Sequence, residues 1–285
     1  MKPFLKWAGS KYRVLPHIRK MLPESGRIIE PFCGSCAVSL NVHHSAYVLN
    51  DSNADLICLY ETLRDEGAQF IAYCRRFFTA ETNCPDVYYR LRAEYNQTED
   101  KRYKSALFLY LNRHAYNGLY RTNLRGDHNV PFGRYRKPYF PEREMTAFYE
   151  RFHTAQFLSL DFETVMRAAQ PGDVIYADPP YVPLSNTANF TSYQAGGFNL
   201  DEQRRLARVA EEVANRGVPV LVSNHATEFT KQIYRAAEWV TFDVQRNISR
   251  DASNRGRARE ILALFRGESV QAWQFEASIS GTAMF

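Results

Sequence analysis

Four consecutive residues, Asp178, Pro179, Pro180 and Tyr181, carry the most chemical information in this 285-residue sequence. They follow DVIYA (173–177), a short apolar run suited to a strand covered on both faces. Ligands of open α/β sheets sit beyond the carboxyl ends of strands. The two prolines remove two backbone donors and stiffen the turn. The chain can therefore present the Asp178 carboxylate and the Pro179 carbonyl as acceptors, with the flat Tyr181 ring beside them. Two acceptors and a ring suit a planar substrate that carries an amino group. Such an amine is a poor nucleophile, because its lone pair is delocalised into the ring. Acceptors that grip both N–H bonds favour a tetrahedral nitrogen with its lone pair aimed at an electrophile, and holding reacting atoms ~3 Å apart supplies much of the rate gain. The plainer account of the same residues is a rigid surface turn.

A second cluster lies near the N-terminus. Glu30-Pro31-Phe32-Cys33-Gly34 is a close-approach turn after the apolar run RIIE (27–30), and Asp51 ends the run AYVLN (46–50). An acid at the end of a second strand accepts ribose hydroxyls in nucleotide-binding folds. Both G-x-x-x-x-G-K and G-x-G-x-x-G are absent, which leaves NAD unsupported. Asp161 and Phe162 follow QFLSL (156–160) and either border an adenine ring or, for the phenylalanine, join the core. Cys33 and Cys36 form one C-x-x-C among five cysteines. With no second pair and no H-x-x-x-H, zinc would lack ligands, so no metal is expected. Reduced thiols are favoured over a redox pair.

The elements that must position these residues read as an α/β unit with an insertion. Helical spacing covers Val14–Leu22, and strand, glycine-bearing turn, a helix from the small-residue run CAVSL (36–40) and a second strand follow. The text is helical from Asn53 to about Glu99 and again over Ala106–Leu111. From Arg113 to Tyr139, Asn, Gly and Pro punctuation predicts loops and a small hairpin. Later come a strand at DVIYA, a helix over 199–216 with Asn199 as cap, a strand at VPVLVSN (218–224), and a terminal hairpin from WVTFDV and EILALF. The expected fold is α/β, a Rossmann-like, mostly parallel sheet with a terminal antiparallel hairpin. Residues 1–55 and 145–270 would form the catalytic domain, 56–144 a mainly helical inserted domain containing the small hairpin, and 271–285 a tail.

Charge supplies the partner class. The formal excess is only +5, but ten basic residues face two acidic ones between Lys101 and Arg143, and five arginines face one aspartate between Gln245 and Arg259. Two basic segments can serve one polyanion, although solvated surface is the simpler account. No run approaches the roughly 18–20 apolar residues that cross a bilayer, and the N-terminus lacks an apolar stretch of signal-peptide type. No membrane association, a cytoplasmic location and a monomer or weak dimer are the expectations.

Nearly the whole length resembles the Dam-type DNA adenine methyltransferases. The matching text is FLKWAGSK (4–11), EPFCGS (30–35), NDSNADLI (50–57), LFLYLNRHAYNGLYRTNLRG (107–126), NVPFGRYRKPYFP (129–141), DPPYVPLSNTANFTSY (178–193) and VLVSNH (220–225). The resemblance implies methyl transfer from S-adenosylmethionine to a flipped adenine in double-stranded DNA, typically within GATC. It implies cofactor-binding roles for Trp7, Ala8, Gly9, Lys11, Glu30, Phe32, Gly34, Asp51, Asp161 and Phe162, and a base clamp from Asp178, Pro179, Pro180 and Tyr181. Lys6, Tyr116, Asn117, Leu119, Arg121, Asn129, Pro131, Arg134 and Tyr135 would meet DNA through a target-recognition domain, and Arg255 and Arg257 through the last hairpin. Cys36 stands where the family often has a glycine, so either the backbone there is ordinary or cofactor binding suffers. Alternatives are an amide or other amino-group methyltransferase, or a DNA-binding protein that has lost catalysis. A place in restriction–modification is compatible with the methyltransferase reading.

Overall fold

Short, continuously apolar runs become strands where both of their faces are covered. The computed structural model describes residues 1–183, 198–245 and 257–267. Its strands are β1 (Arg27–Glu30), β2 (Ala46–Asn50), β3 (Gln156–Leu158), β4 (Asp173–Ala177), β5 (Val220–His225), β6 (Glu238–Gln245) and β7 (Arg257–Phe265). Their order in one sheet is β3-β2-β1-β4-β5-β7-β6. Pairing is parallel for β1–β4, β4–β5 and β2–β3, and antiparallel for β5–β7 and β6–β7. Every residue of β4 and β5 is buried. The expected α/β class, with a mostly parallel sheet and a terminal antiparallel hairpin, is therefore present.

The chain divides into two compact units. The first comprises Met1–Arg13, Cys33–His43 and Tyr47–Leu160, and the second Val14–Phe32, His44–Ala46 and Asp161–Phe285.

In the first unit lie α2 (Ala54–Glu66), α3 (Ala68–Arg75), α4 (Pro85–Gln97), α5 (Lys101–His114) and α6 (Glu142–Phe152). Asn53 caps α2 by accepting from Leu56 N–H, and Asp100 caps α5 by accepting from Tyr103 N–H. That second cap starts α5 five residues earlier than the expected Ala106, and the helix is buried all round from Ser105 to His114. The helical text to Glu99 is broken between α3 and α4. There the Thr82 hydroxyl donates to Phe77 O at 2.8 Å in the turn beyond α3, and Pro85 opens α4. After α5 the predicted hairpin forms, with antiparallel bridges Ala115–Phe132 and Thr122–His128. Its tip is an Asx turn in which Asn123 Oδ1 accepts from Arg125 and Asp127 N–H at 2.9 and 3.0 Å.

The helix expected from CAVSL does not form; the segment is a run of turns. Cys36 takes φ +55°, outside the right-handed helical region, and the Asn41 side chain donates to Ala37 O at 2.8 Å.

The second unit holds α1 (Leu15–Met21), α7 (Phe162–Arg167), α8 (Leu200–Asn215) and α9 (Glu228–Ile233) beside its strands. Asn199 caps α8, its Oδ1 accepting from Asp201 and Glu202 N–H at 2.9 and 3.0 Å. Among the described residues, no helix is long and apolar enough to cross a membrane. Nor could any cluster of His, Cys, Asp and Glu among them hold a metal ion.

Candidate active site and nucleic-acid interface

Parallel pairing of β4 with β5 sets Ala177 opposite Val222, so each strand's next residue emerges at the same sheet edge. Those residues are Asp178 and Ser223, and the Ser223 hydroxyl donates to Asp178 Oδ1 at 2.8 Å. The fully buried Tyr176 donates to Ser223 Oγ at 3.1 Å. Asn224, also fully buried, holds the turn's exit: its Oδ1 accepts from Val182 N–H at 3.0 Å. Its Nδ2 donates to Gln203 Oε1 at 2.9 Å and to Tyr234 Oη at 3.1 Å. Gln203 in turn donates to Pro180 O at 2.7 Å, and His225 Nδ1 lies 2.6 Å from Val182 O. The backbone is thus pinned on both sides of Tyr181. The Tyr181 hydroxyl donates to Glu260 Oε2 at 3.2 Å, and its ring meets His225 edge-on at 4.7 Å. Burial, with negative charge from Asp178 and Glu260 added, pushes the Tyr181 phenol far above its ordinary pKa, so it stays a neutral donor. Asp178 and Tyr181 keep partial exposure, which a ligand needs.

Elsewhere in this unit Glu30 is buried, and Phe32 packs on Phe162 at 5.3 Å and edge-on to Phe198 at 5.5 Å. Asp161 caps α7 through Glu163 N–H and receives Arg205 at 2.6 Å, while the guanidinium lies 4.3 Å over the Phe162 ring. Only 5% of Phe162 is exposed.

In the first unit, the Gly34 and Asn53 N–H groups donate to the two Asp51 oxygens, each at 3.0 Å. Burial raises the Asp51 pKa against these two bonds, which act to lower it. The Tyr60 hydroxyl donates to Gly34 O at 2.6 Å. Gly34 has φ +45°, and a Cβ on it would press to 3.0 Å from the Trp7 indole. Trp7 stacks on Phe108 and Tyr120 at 6.2 and 5.8 Å. Ala8 and Gly9 are exposed, whereas Lys11 is buried and donates to Gly9 O at 2.7 Å. Cys36 holds its left-handed backbone while fully buried, a conformation that costs L-residues about 1–2 kcal/mol and glycine little. The Cys36 backbone is therefore not an ordinary one.

Eight of the nine expected DNA-facing positions lie on the hairpin of the same unit or just after it, and the ninth, Lys6, lies against Tyr135. Asn112 exchanges hydrogen bonds with the Lys6 backbone at 2.9 and 2.7 Å, and the Lys6 ammonium lies 4.1 Å over the Tyr135 ring. Burial and the Arg113 charge lower the Lys6 pKa. Gly118 has φ +64°, and a Cβ there would meet Lys6 Cδ at 2.3 Å, so only glycine permits this approach. Tyr116, Asn117, Leu119, Arg121, Pro131 and Arg134 are exposed. Arg121 donates to Asn129 Oδ1 at 2.7 Å, and Pro131 O accepts from Tyr116 N–H at 2.9 Å. Arg257 opens β7 opposite Gln245. Arg255, the arginine-rich stretch 246–256, residues 184–193 of the DPPY segment and the tail lie outside the described residues.

A sequence profile described as D12 class N6 adenine-specific DNA methyltransferase matches residues 7–248. The chain belongs to this family. It is 45% identical over 265 residues to the DNA adenine methylase of Escherichia coli K12, covering 93% of this chain and 95% of that protein. The DNA adenine methylase of Vibrio cholerae is 45% identical, with 93% and 96% covered. That of Serratia marcescens is 46% identical over 266 residues, with 93% and 98% covered. The chain is thus an adenine-specific DNA methyltransferase, which selects DNA adenine over the amide and other amino-group substrates weighed above.

In this methyltransferase the residues that hold Asp178 and Tyr181 escaped the sequence reading. VLVSNH matched the family as text, yet Ser223, Asn224 and Gln203 received no role. One signal was present: Ser223, Asn224 and His225 are three polar residues ending a strand that is otherwise apolar. A buried strand tolerates such residues only where each finds partners.

Proposed function

We propose that the chain methylates N6 of an adenine extruded from double-stranded DNA, within GATC, using S-adenosylmethionine. The observation that carries this reading is the pinned corner: Ser223 fixes one Asp178 oxygen, while Asn224 and Gln203 hold the backbone around Tyr181. Asp178 and the Pro179 carbonyl take the two amine hydrogens, and Tyr181 sets the plane of the base. Extrusion is required because duplex stacking hides the reacting atom. Asp178 acts as acceptor and orienter.

The residues present fit the methyl donor. The Gly34 turn is a cradle that a Cβ would fill, and Asp51 lies beside it with both oxygens oriented by backbone N–H groups. S-adenosylmethionine supplies a methyl group on a positively charged sulfur. Trp7, Ala8, Gly9, Lys11, Gly34 and Asp51 are assigned to hold it, Asp51 through ribose hydroxyls; the assignment extends to Glu30, Phe32, Asp161 and Phe162. Residues 56–144 are assigned to target recognition, with Lys6, Tyr116, Asn117, Leu119, Arg121, Asn129, Pro131, Arg134 and Tyr135 as contacts, and Arg257 with Arg255 to phosphate.

The experiment is incubation with unmethylated duplex and donor, followed by modification-sensitive sequencing. N6-methyladenine at GATC is the expected product. Methylation confined to another word overturns the specificity, and tight duplex binding without product at saturating donor leaves only a binding protein. Arg121→Ala tests the reading head. If Arg121 exchanges its Asn129 bond for a bidentate contact to guanine, its loss should cost roughly 1–3 kcal/mol of discrimination at one base pair. A uniform loss on all duplexes would move Arg121 to the phosphates.

A further inference from the structure

We propose that Ser223 is a positioning residue for methyl transfer, its hydroxyl fixing the rotation of the Asp178 carboxylate that grips the amine. A carboxylate turns easily about its last side-chain bond, over a broad and nearly two-fold profile. Asp178 has one oxygen anchored by Ser223 at 2.8 Å.

The direction of that anchor is set from behind. A serine hydroxyl has one proton and two lone pairs. Tyr176, fully buried, donates to the Ser223 oxygen at 3.1 Å. Burial and the nearby Asp178 charge keep its phenol protonated, so it remains the donor. With the tyrosine proton on its oxygen, the serine proton turns to Asp178. The Tyr181 phenol gives its own proton to Glu260. Ser223 therefore acts on the acceptor of the clamp. Ser223 is itself 1% exposed, and its strand neighbours Leu221 and Val222 are fully buried. A polar residue that breaks the apolar pattern of a buried strand is expected at functional positions.

The inference rests on Asp178 being the amine clamp, and the experiment separates the two. Ser223→Ala and Tyr176→Phe are compared with the parent and with Asp178→Ala in single-turnover methylation. Target extrusion is followed by the fluorescence of 2-aminopurine at the adenine position, and duplex affinity and donor KM are measured in parallel. Ser223→Ala should slow single-turnover transfer roughly 10- to 100-fold, the scale of a reactant misplaced by a fraction of its width. Tyr176→Phe should slow it several-fold, because the serine proton loses its preferred direction. Extrusion, duplex affinity and donor KM should stay within a factor of two of the parent in both. If Ser223→Ala fails to fold, Tyr176→Phe carries the test, since it keeps the buried ring. Rates within two-fold of the parent in both variants, alongside an inactive Asp178→Ala, overturn the role of Ser223 and leave the clamp standing. Losses that track extrusion or affinity make Ser223 structural and overturn the proposal. Parental turnover in Asp178→Ala overturns the clamp itself.

Discussion

Asp178→Ala is expected to lower methyl transfer by roughly 10³- to 10⁴-fold while duplex binding stays measurable. Two effects make up that factor. Losing the orientation of the amine costs up to about 10²-fold. Losing a preorganised charge facing a nitrogen that becomes cationic costs a comparable amount, by analogy with single groups of an oxyanion hole. Stability should change far less. Asp178 is half-buried, and its removal leaves the Ser223 hydroxyl short of one acceptor, a penalty of about 1–3 kcal/mol. Binding is spared because most residues assigned to DNA sit on the hairpin after α5 and beside Lys6, and Asp178 is not among those assigned to the duplex. Asp178→Asn keeps one acceptor oxygen and should fall between parent and alanine. Filter binding and single-turnover assays on the same duplex check both halves of the prediction. Near-parental turnover in the alanine variant would remove Asp178 from the chemistry.

Much of the fold was legible because it is local. β1, β4 and β5 are apolar runs bounded by turn residues, and β7 contains another, with Ile261–Phe265 buried throughout. The missed helix at 36–40 shows where locality ends: alanine and leucine favour it, but Cys36 and the Asn41 amide commit the backbone to turns. The length of α5 was misread for a related reason, since its start is fixed by a cap at Asp100 and its polar end, Asn112 to His114, is buried by long-range partners. At the site, the DPPY turn announced itself through side-chain chemistry. Its supports did not, because Ser223 reaches back 45 residues to Asp178 and Asn224 reaches 42 to Val182. Spacing along the chain says nothing about such pairs; only the parallel register of β4 and β5 creates them.

That register makes Asn224→Ala the second large effect, and it should act on stability. Asn224 is fully buried and satisfies the Val182 N–H, the Gln203 amide oxygen and the Tyr234 hydroxyl. Alanine strands at least two of these away from water at about 1–3 kcal/mol each, and the lost volume adds a small cavity. The total, about 3–5 kcal/mol, corresponds at this chain length to a melting point lower by roughly 6–15 °C. Asn224→Asp fills the same volume yet should be no better, because it loses both N–H donors and buries a charge. Activity should fall with stability, since Gln203 loses the partner that aims its amide at Pro180 O. The neighbouring Ser223→Ala should lose less stability, about 1–3 kcal/mol for the one buried Tyr176 hydroxyl it strands, while its main effect is slower transfer. Adjacent residues on β5 would then separate into one that holds the turn and one that aims its carboxylate. A melting curve for Asn224→Ala superimposing on the parent's would mean that the turn keeps its shape through the two prolines alone.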